Sequence, residues 1–188
     1  MNTFEKHLLN VSRKFNLPYA LEKHSLRKLC LNNCSFCDIQ ETPKTYQNVG
    51  LVVFKNGYIS SNVFPLCKMC YTTRAGLNKK KYINTCKTIC GKRIKLQEIG
   101  KYISSHSEER KCKYSNQFTC SDRRKLFTKN PNCAYCKRNT NLTVNRINSN
   151  KTYSKGNVQV LCWLCNRMKG KHNEKLFLNH CKRVSLII

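Results

Sequence analysis

Apolar residues fall at helical intervals near both ends of the chain and in short β-rich runs between them. Phe4, Leu8, Val11 and Phe15 lie three or four positions apart, which predicts a helix over residues 3–15, and Pro18 closes that segment. Residues 19–30 predict a second short helix. The runs 51–54 and 142–147 are rich in β-forming residues and predict strands. Residues 71–111 predict mostly helix, with Ile83, Ile94, Ile99 and Ile103 buried. Ser121 stands where it can cap a helix over Asp122–Phe127, which Pro131 prevents from continuing. Residues 173–184 predict a last helix with Leu176, Phe177 and Val184 inward. No stretch reads as a linker long enough to separate independent domains.

The pattern occurs twice. Residues 28–70 and 125–165 each place a Lys-Leu helix end before an Asn-Cys-x-x-Cys turn, then a Leu-x-Val strand. Each then has Tyr, three residues, Asn-Val, and a second Cys-x-x-Cys. Tyr58 to Asn62 spans the same interval as Tyr153 to Asn157, and Asn62 to Cys67 the same as Asn157 to Cys162. Two kept intervals with six kept residue types indicate an internal duplication.

The cysteines add chemistry. The chain has 14 cysteines and one tryptophan in 188 residues, which favours metal staples over a large apolar interior. A Cys-x-x-Cys turn places two thiolates at one bend, suited to two corners of a tetrahedron. Two such pairs make one site from Cys34, Cys37, Cys67 and Cys70 and another from Cys133, Cys136, Cys162 and Cys165, each expected to hold structural zinc. The competing readings are unliganded buried cysteines and redox dithiols. The pairs are separated by 29 and 25 residues, room for a β-hairpin in a treble-clef arrangement. Cys86, Cys90, Cys112 and Cys120 could form a third site, but their spacing matches no zinc knuckle, and ordinary thiols are the favoured reading. Cys30 and Cys181 read as core residues of helices.

Charge points to a polyanionic partner. There are 36 Lys and Arg against 9 Asp and Glu, a formal +27. A/T-rich coding explains part of the lysine and asparagine excess, but not why Asp38 and Asp122 are the sole aspartates. Nucleic acid, DNA or structured RNA, is the expected partner, with other proteins of a nucleoprotein particle as a further expectation. The opening MNTFEKHLLN is charged where a signal peptide is apolar, and no apolar run nears the roughly 18 residues of a membrane span. The expectation is therefore a soluble intracellular protein, not secreted, in cytoplasm or nucleoid, a virus factory or an organelle matrix.

The motifs CAYC, TVNRI, KTYSKGNVQV and CWLCNRMKG at residues 133–170 resemble the HNH, or His-Me finger, endonucleases of phage and large-DNA-virus type. The likeness extends loosely over residues 115–185, and the first copy shares it only through the repeat. It implies an α+β fold of two zinc-stabilised treble-clef, ββα HNH-like modules joined and flanked by helices. The implied divisions are 1–72, an N-terminal degenerate module with its helices; 73–120, a helical connector; and 121–188, the HNH-like module with its C-terminal helix.

The resemblance also implies catalytic positions. Asn145 and Asn166 fall where the family holds a catalytic ion such as Mg²⁺, Arg146 where it has its general base, and Asn157 where an asparagine braces the hairpin loop. In the first copy Phe54-Lys55 and Tyr71 are the expected counterparts. A hard cation wants carboxylates, and an arginine cannot take a proton from water. From Arg123 to Asn173 there is neither Asp nor Glu. The expected function is thus a zinc-stabilised nucleic-acid-binding protein on a nuclease scaffold without cleavage, with Arg146, Lys151, Lys155, Arg167, Lys169 and Lys171 on the phosphate backbone. Solvated lysines are the bland reading of that set. Trp163 is expected to pack beside the zinc rather than stack on a base. The alternative function is an active HNH endonuclease that brings in His172, His180 or Asp38 and uses Mg²⁺; a zinc module for protein contacts is the third reading.

Overall fold

A computed structural model describes residues 3–40, 48–91 and 118–187. These form two compact units, residues 1–72 and 73–188. The chain is α+β, with small two-stranded sheets set among helices.

In the first unit, helix α1 (Thr3–Lys14), helix α2 (Lys23–Leu31) and the segment between them bury Leu8, Leu26 and Leu21 against Val49 and Tyr58. Full burial of one such side chain stabilises by about 1.5–3 kcal/mol. Phe15 does not join that core; it is 51% exposed, past the helix end, with its ring edge on Phe54. The second helix starts later than expected because residues 19 and 20 run extended: Tyr58 donates its amide to the Pro18 carbonyl, and Ala20 donates to the Tyr58 carbonyl. Gly57 permits that approach. Its φ is +64°, and a Cβ there would stand 2.2 Å from the Pro18 carbonyl oxygen.

Strand β1 (Asn48–Leu51) pairs antiparallel with strand β2 (Val63–Leu66), followed by the short helix α3 (Lys68–Thr73). The first strand ends at Leu51, the first residue of the run 51–54 that the sequence pattern favoured. Val52 and Val53 turn out of the sheet and are 66% and 47% exposed.

The second unit opens with helix α4 (Lys79–Ile89), and helix α5 (Cys120–Lys129) is the next described helix. Residues 92–117, which include Ile94, Ile99, Ile103 and Cys112, lie outside the described residues. Thr119, not Ser121, caps α5. Its hydroxyl accepts from the Asp122 amide at 3.2 Å while the Asp122 carboxylate takes the Thr119 amide at 3.0 Å, a reciprocal capping box. Strands β3 (Leu142–Arg146) and β4 (Val158–Cys162) pair antiparallel, and helix α6 (Trp163–Lys169) continues directly from β4. Helix α7 (Glu174–Val184) buries Phe177, His180, Cys181 and Val184 on one stripe and packs on α4. Leu176 falls one position off that stripe and is 62% exposed, against the expectation that it points inward.

The duplication extends to hydrogen bonds. A shift of 95 residues carries the register of β1–β2 onto that of β3–β4: Asn48↔Leu66 becomes Thr143↔Leu161, and Leu51↔Val63 becomes Arg146↔Val158. Asn62 receives the Val53 amide at 2.9 Å and donates to the carbonyls of Val53 and Gly57 at 2.7 and 2.8 Å. Asn157 receives the Asn148 amide at 2.9 Å and donates to the carbonyls of Asn148 and Thr152 at 3.1 and 2.9 Å. Both asparagines are buried. Each satisfies three backbone groups that a hairpin loop would otherwise leave open.

Candidate metal centres and the polar cradle beside the second

Each Cys-x-x-Cys turn is built the same way. The first cysteine donates its amide five residues ahead, Cys34 to Ile39 and Cys133 to Arg138, at 2.9 and 2.7 Å. The residue after the second cysteine takes a left-handed backbone, Asp38 at φ 56° and Lys137 at φ 63°. The turn is then tied to the second strand by the next amide, Ser35 to Pro65 and Ala134 to Val160, at 2.9 and 2.8 Å. The later cysteine pair sits where strand passes into helix, which brings four sulfurs together.

In both groups the four Sγ atoms lie within 4.8 Å of one another. Cys37 and Cys67 approach to 3.6 Å, as do Cys136 and Cys162. A tetrahedral ion with metal–sulfur bonds of about 2.3 Å sets its sulfurs about 3.8 Å apart, so the donor set fits zinc. Backbone amides already point at sulfur, Cys70 to Cys67 at 3.3 Å and Cys165 to Cys162 at 3.5 Å. The thiols divide in acidity. Hydrogen bonds from Cys136, Cys162 and Cys165 push Cys133 far below the usual thiol range, and Cys37, Cys67 and Cys70 do the same to Cys34. Cys165 and Cys70 are pushed up by their three neighbours. Four thiolates form together only where a cation offsets their mutual repulsion. Each group can hold one metal ion, two in the chain.

The remaining described cysteines gather no further site. Cys86 and Cys181 are fully buried, and the Cys181 thiol is pushed up by its hydrogen bond with Cys86 and by burial. Cys90 and Cys120 are exposed and Cys30 is half-buried. His180, in the same α4–α7 layer, accepts from Arg183 at Nδ1 and contacts the Tyr82 hydroxyl at Nε2, at 2.9 and 3.0 Å. Tyr82 in turn meets Thr73 at 2.6 Å.

Beside the second metal group, β3 and α6 bring Asn145 and Asn166 together. Asn145 Nδ2 donates to Asn166 Oδ1 at 2.7 Å, and Asn166 Nδ2 donates to Thr143 Oγ1 at 2.9 Å. Asn145 Oδ1 is buried without a partner. Arg146 is turned to the hairpin loop: its Nη1 donates to the Lys151 carbonyl at 3.1 Å, and its guanidinium lies 5.2 Å from the Tyr153 ring centre. Asn157 braces that loop from below, outside the Asn145–Asn166 pair.

Lys169 corrects the expected phosphate-facing set. It is fully buried, and its ammonium donates to the Arg146 carbonyl at 2.9 Å and to Ser149 Oγ at 3.3 Å. Burial pulls this ammonium below the usual lysine range; the Glu174 carboxylate opposes that shift and Arg146 adds to it. Lys151, Lys155, Arg167 and Lys171 are exposed. Lys155 pairs with Asp122 at 3.3 Å, and Arg167 lies 5.1 Å from the ring centre of half-buried Trp163. Neither nearby acid enters the cradle: Asp122 is held by Thr119 and Lys155, and Glu174 accepts from Tyr135 at 2.6 Å and Gln159 at 2.7 Å. Asp38 lies in the first unit, where Asn33 donates to it at 3.1 Å. His172 follows α6 in a turn, its amide bonded to the Lys169 carbonyl at 3.0 Å.

The first copy has no such cradle. The shared register places Gly50 and Leu51, not Phe54-Lys55, at the positions of Asn145 and Arg146, with Tyr71 and Arg74 opposite Asn166 and Lys169. A Cβ on Gly50 would stand 2.6 Å from the Phe64 ring, so no side chain fits there.

Thr143, Ser149, Tyr135 and Gln159 complete the surroundings and were not among the sequence candidates. The Tyr135 phenol is pushed up by burial and by its hydrogen bond to Glu174. The site and fold thus define a basic α+β chain with two four-cysteine metal groups. Comparison with protein-family models, curated proteins and solved structures finds no match for the chain. Among the described residues no helix is long and apolar enough to cross a membrane.

Proposed function

We propose that the protein is a zinc-stabilised, basic nucleic-acid-binding protein on an HNH, treble-clef-type scaffold, and that it does not cleave. The observation that carries this reading is the cradle between β3 and α6. The positions that would grip a divalent ion are an amide pair, Asn145 with Asn166, and the Lys169 ammonium is anchored on the carbonyl of the adjoining Arg146. Neutral amides bind a hard dication weakly, and a nearby cation repels it. Among the described residues, only the two four-cysteine groups bring together three or more metal-binding side chains.

Zinc supplies the stability that small cores lack, and the rest of the second module supplies charge. Lys151, Lys155, Arg167 and Lys171 project from one hairpin and the helix that follows it. Such donors serve phosphate oxygens without any catalytic group. The formal +27 of the chain draws a polyanion to them. The test is a salt titration of binding to a duplex oligonucleotide. Neutralising these cations' phosphate partners releases counterions, so log K should fall against log salt with a slope of about −3 to −5. A slope near zero overturns the reading.

A further inference from the structure

The second unit contains an open cleft of about 410 Å³ between the end of α5, the first Cys-x-x-Cys turn and β4. That volume is within the range of small-molecule sites, about 300–1,000 Å³. Its apolar lining includes Leu126, Pro131 and Val160. Its polar lining includes Lys137 at the rim. The Asn132 side chain and the Lys129 ammonium also border the cleft and are exposed, with no side-chain bond among the described residues.

These groups match one ligand chemistry. A nucleobase offers apolar faces of cleft-filling size and an edge of N–H donors and acceptors, and its phosphate offers the anion a free lysine takes. A base still stacked in a duplex cannot enter. A basic peptide would meet Lys129 and Lys137 at the rim. We propose that this cleft holds one unpaired nucleotide of a single-stranded nucleic acid, its base edge on Asn132 and its phosphate on Lys129. The proposal rests on the nucleic-acid reading above and adds a preference for single strands at a place away from the Asn145–Asn166 cradle.

Fluorescence anisotropy on the full zinc-loaded chain tests it, using oligo-uridine and oligo-thymidine of about a dozen nucleotides and a duplex of equal length. Ala134 lines the cleft, is exposed, and is tied to Val160 only by its backbone, so Ala134→Leu narrows the cleft without altering charge. The expected result is about a fivefold loss of single-strand affinity with duplex affinity unchanged. Asn132→Ala, at an exposed position, should lose about threefold on single strands alone and serves if Ala134→Leu does not retain two zinc ions. Loss confined to oligo-uridine identifies the occupant as RNA, and loss on both strands identifies the shared base and phosphate chemistry. Single-strand affinity unchanged in both variants, with duplex binding intact, overturns the cleft proposal and leaves the broader reading standing. Absence of binding to any of the three probes overturns both.

Discussion

The Lys169 ammonium is bonded at 2.9 Å to the backbone carbonyl of Arg146, so a buried cation joins helix α6 to the end of strand β3. Both residues are basic, yet they do opposite things. Arg146 reaches outward over the Tyr153 ring, while Lys169 is enclosed. Only one of them is available to a phosphate.

Lys169→Ala and Lys171→Ala should therefore separate. The first leaves a buried carbonyl without its donor and should cost about 1–3 kcal/mol in urea unfolding. It should leave the salt slope of nucleic-acid binding unchanged in the folded fraction. Lys171→Ala should change stability by less than about 0.5 kcal/mol and flatten the salt slope by about one. The same behaviour from both variants would remove the structural assignment of Lys169.

Metal content should be two zinc ions per chain by elemental analysis, one for each four-cysteine group. Cys165→Ser should drop this to one and unfold the second module, because binding and folding free energy are largely the same quantity here. Cys70→Ser should do the same to the first module. A purified, folded chain with less than one zinc would end this assignment.

Asn157→Ala removes the group that closes the second hairpin loop, and Asn62→Ala removes its counterpart. Each leaves up to three backbone groups without a partner, and a cost of about 2–4 kcal/mol is expected. Asn157→Asp keeps the acceptor for the Asn148 amide but puts oxygen against the carbonyls of Asn148 and Thr152, so it should be no milder than alanine. Hydrogen exchange at the Asn148 amide reports the result directly: protection retained in Asn157→Ala would contradict the brace.

Mg²⁺- or Mn²⁺-dependent cleavage of duplex, branched or single-stranded substrates should stay at the level of a protein-free control. Restoring acid and base with Asn145→Asp and Arg146→His tests the scaffold in the other direction. A gain of nicking in that double variant alone would support the proposed retired site. Robust cleavage by the unaltered chain, lost in Arg146→Ala, would show that the cradle is catalytic.

Much of the cradle could have been read further from spacing alone. Cys165, Met168 and Lys169 lie three and four apart on α6, so the helical period that buries a metal ligand carries Lys169 to the same side. Phe177, Cys181 and Val184 form the stripe of α7, and Leu176 sits about 100° away from it. Thr119-x-x-Asp122 is a capping-box pattern that begins two residues before Ser121. For Lys169 and Leu176, phase on the helix outweighs the basicity or apolarity of the single residue.

What the sequence determined by itself was local and periodic: the two Cys-x-x-Cys pairings, the duplication, the strand β3 to within one residue and the absence of acid between Arg123 and Asn173. Thiolate spacing and repeat intervals are one-dimensional quantities, so they survive without coordinates. Only the tertiary structure decided that Gly50, not Phe54, is the counterpart of Asn145, because a strand's register depends on its partner. It also decided that Cys86 meets Cys181 and that Tyr82 meets His180, contacts between α4 and α7 that helical spacing cannot foretell. Whether a lysine faces phosphate or a carbonyl depends on which surface its helix is pressed against, and for Lys169 that surface is the end of β3.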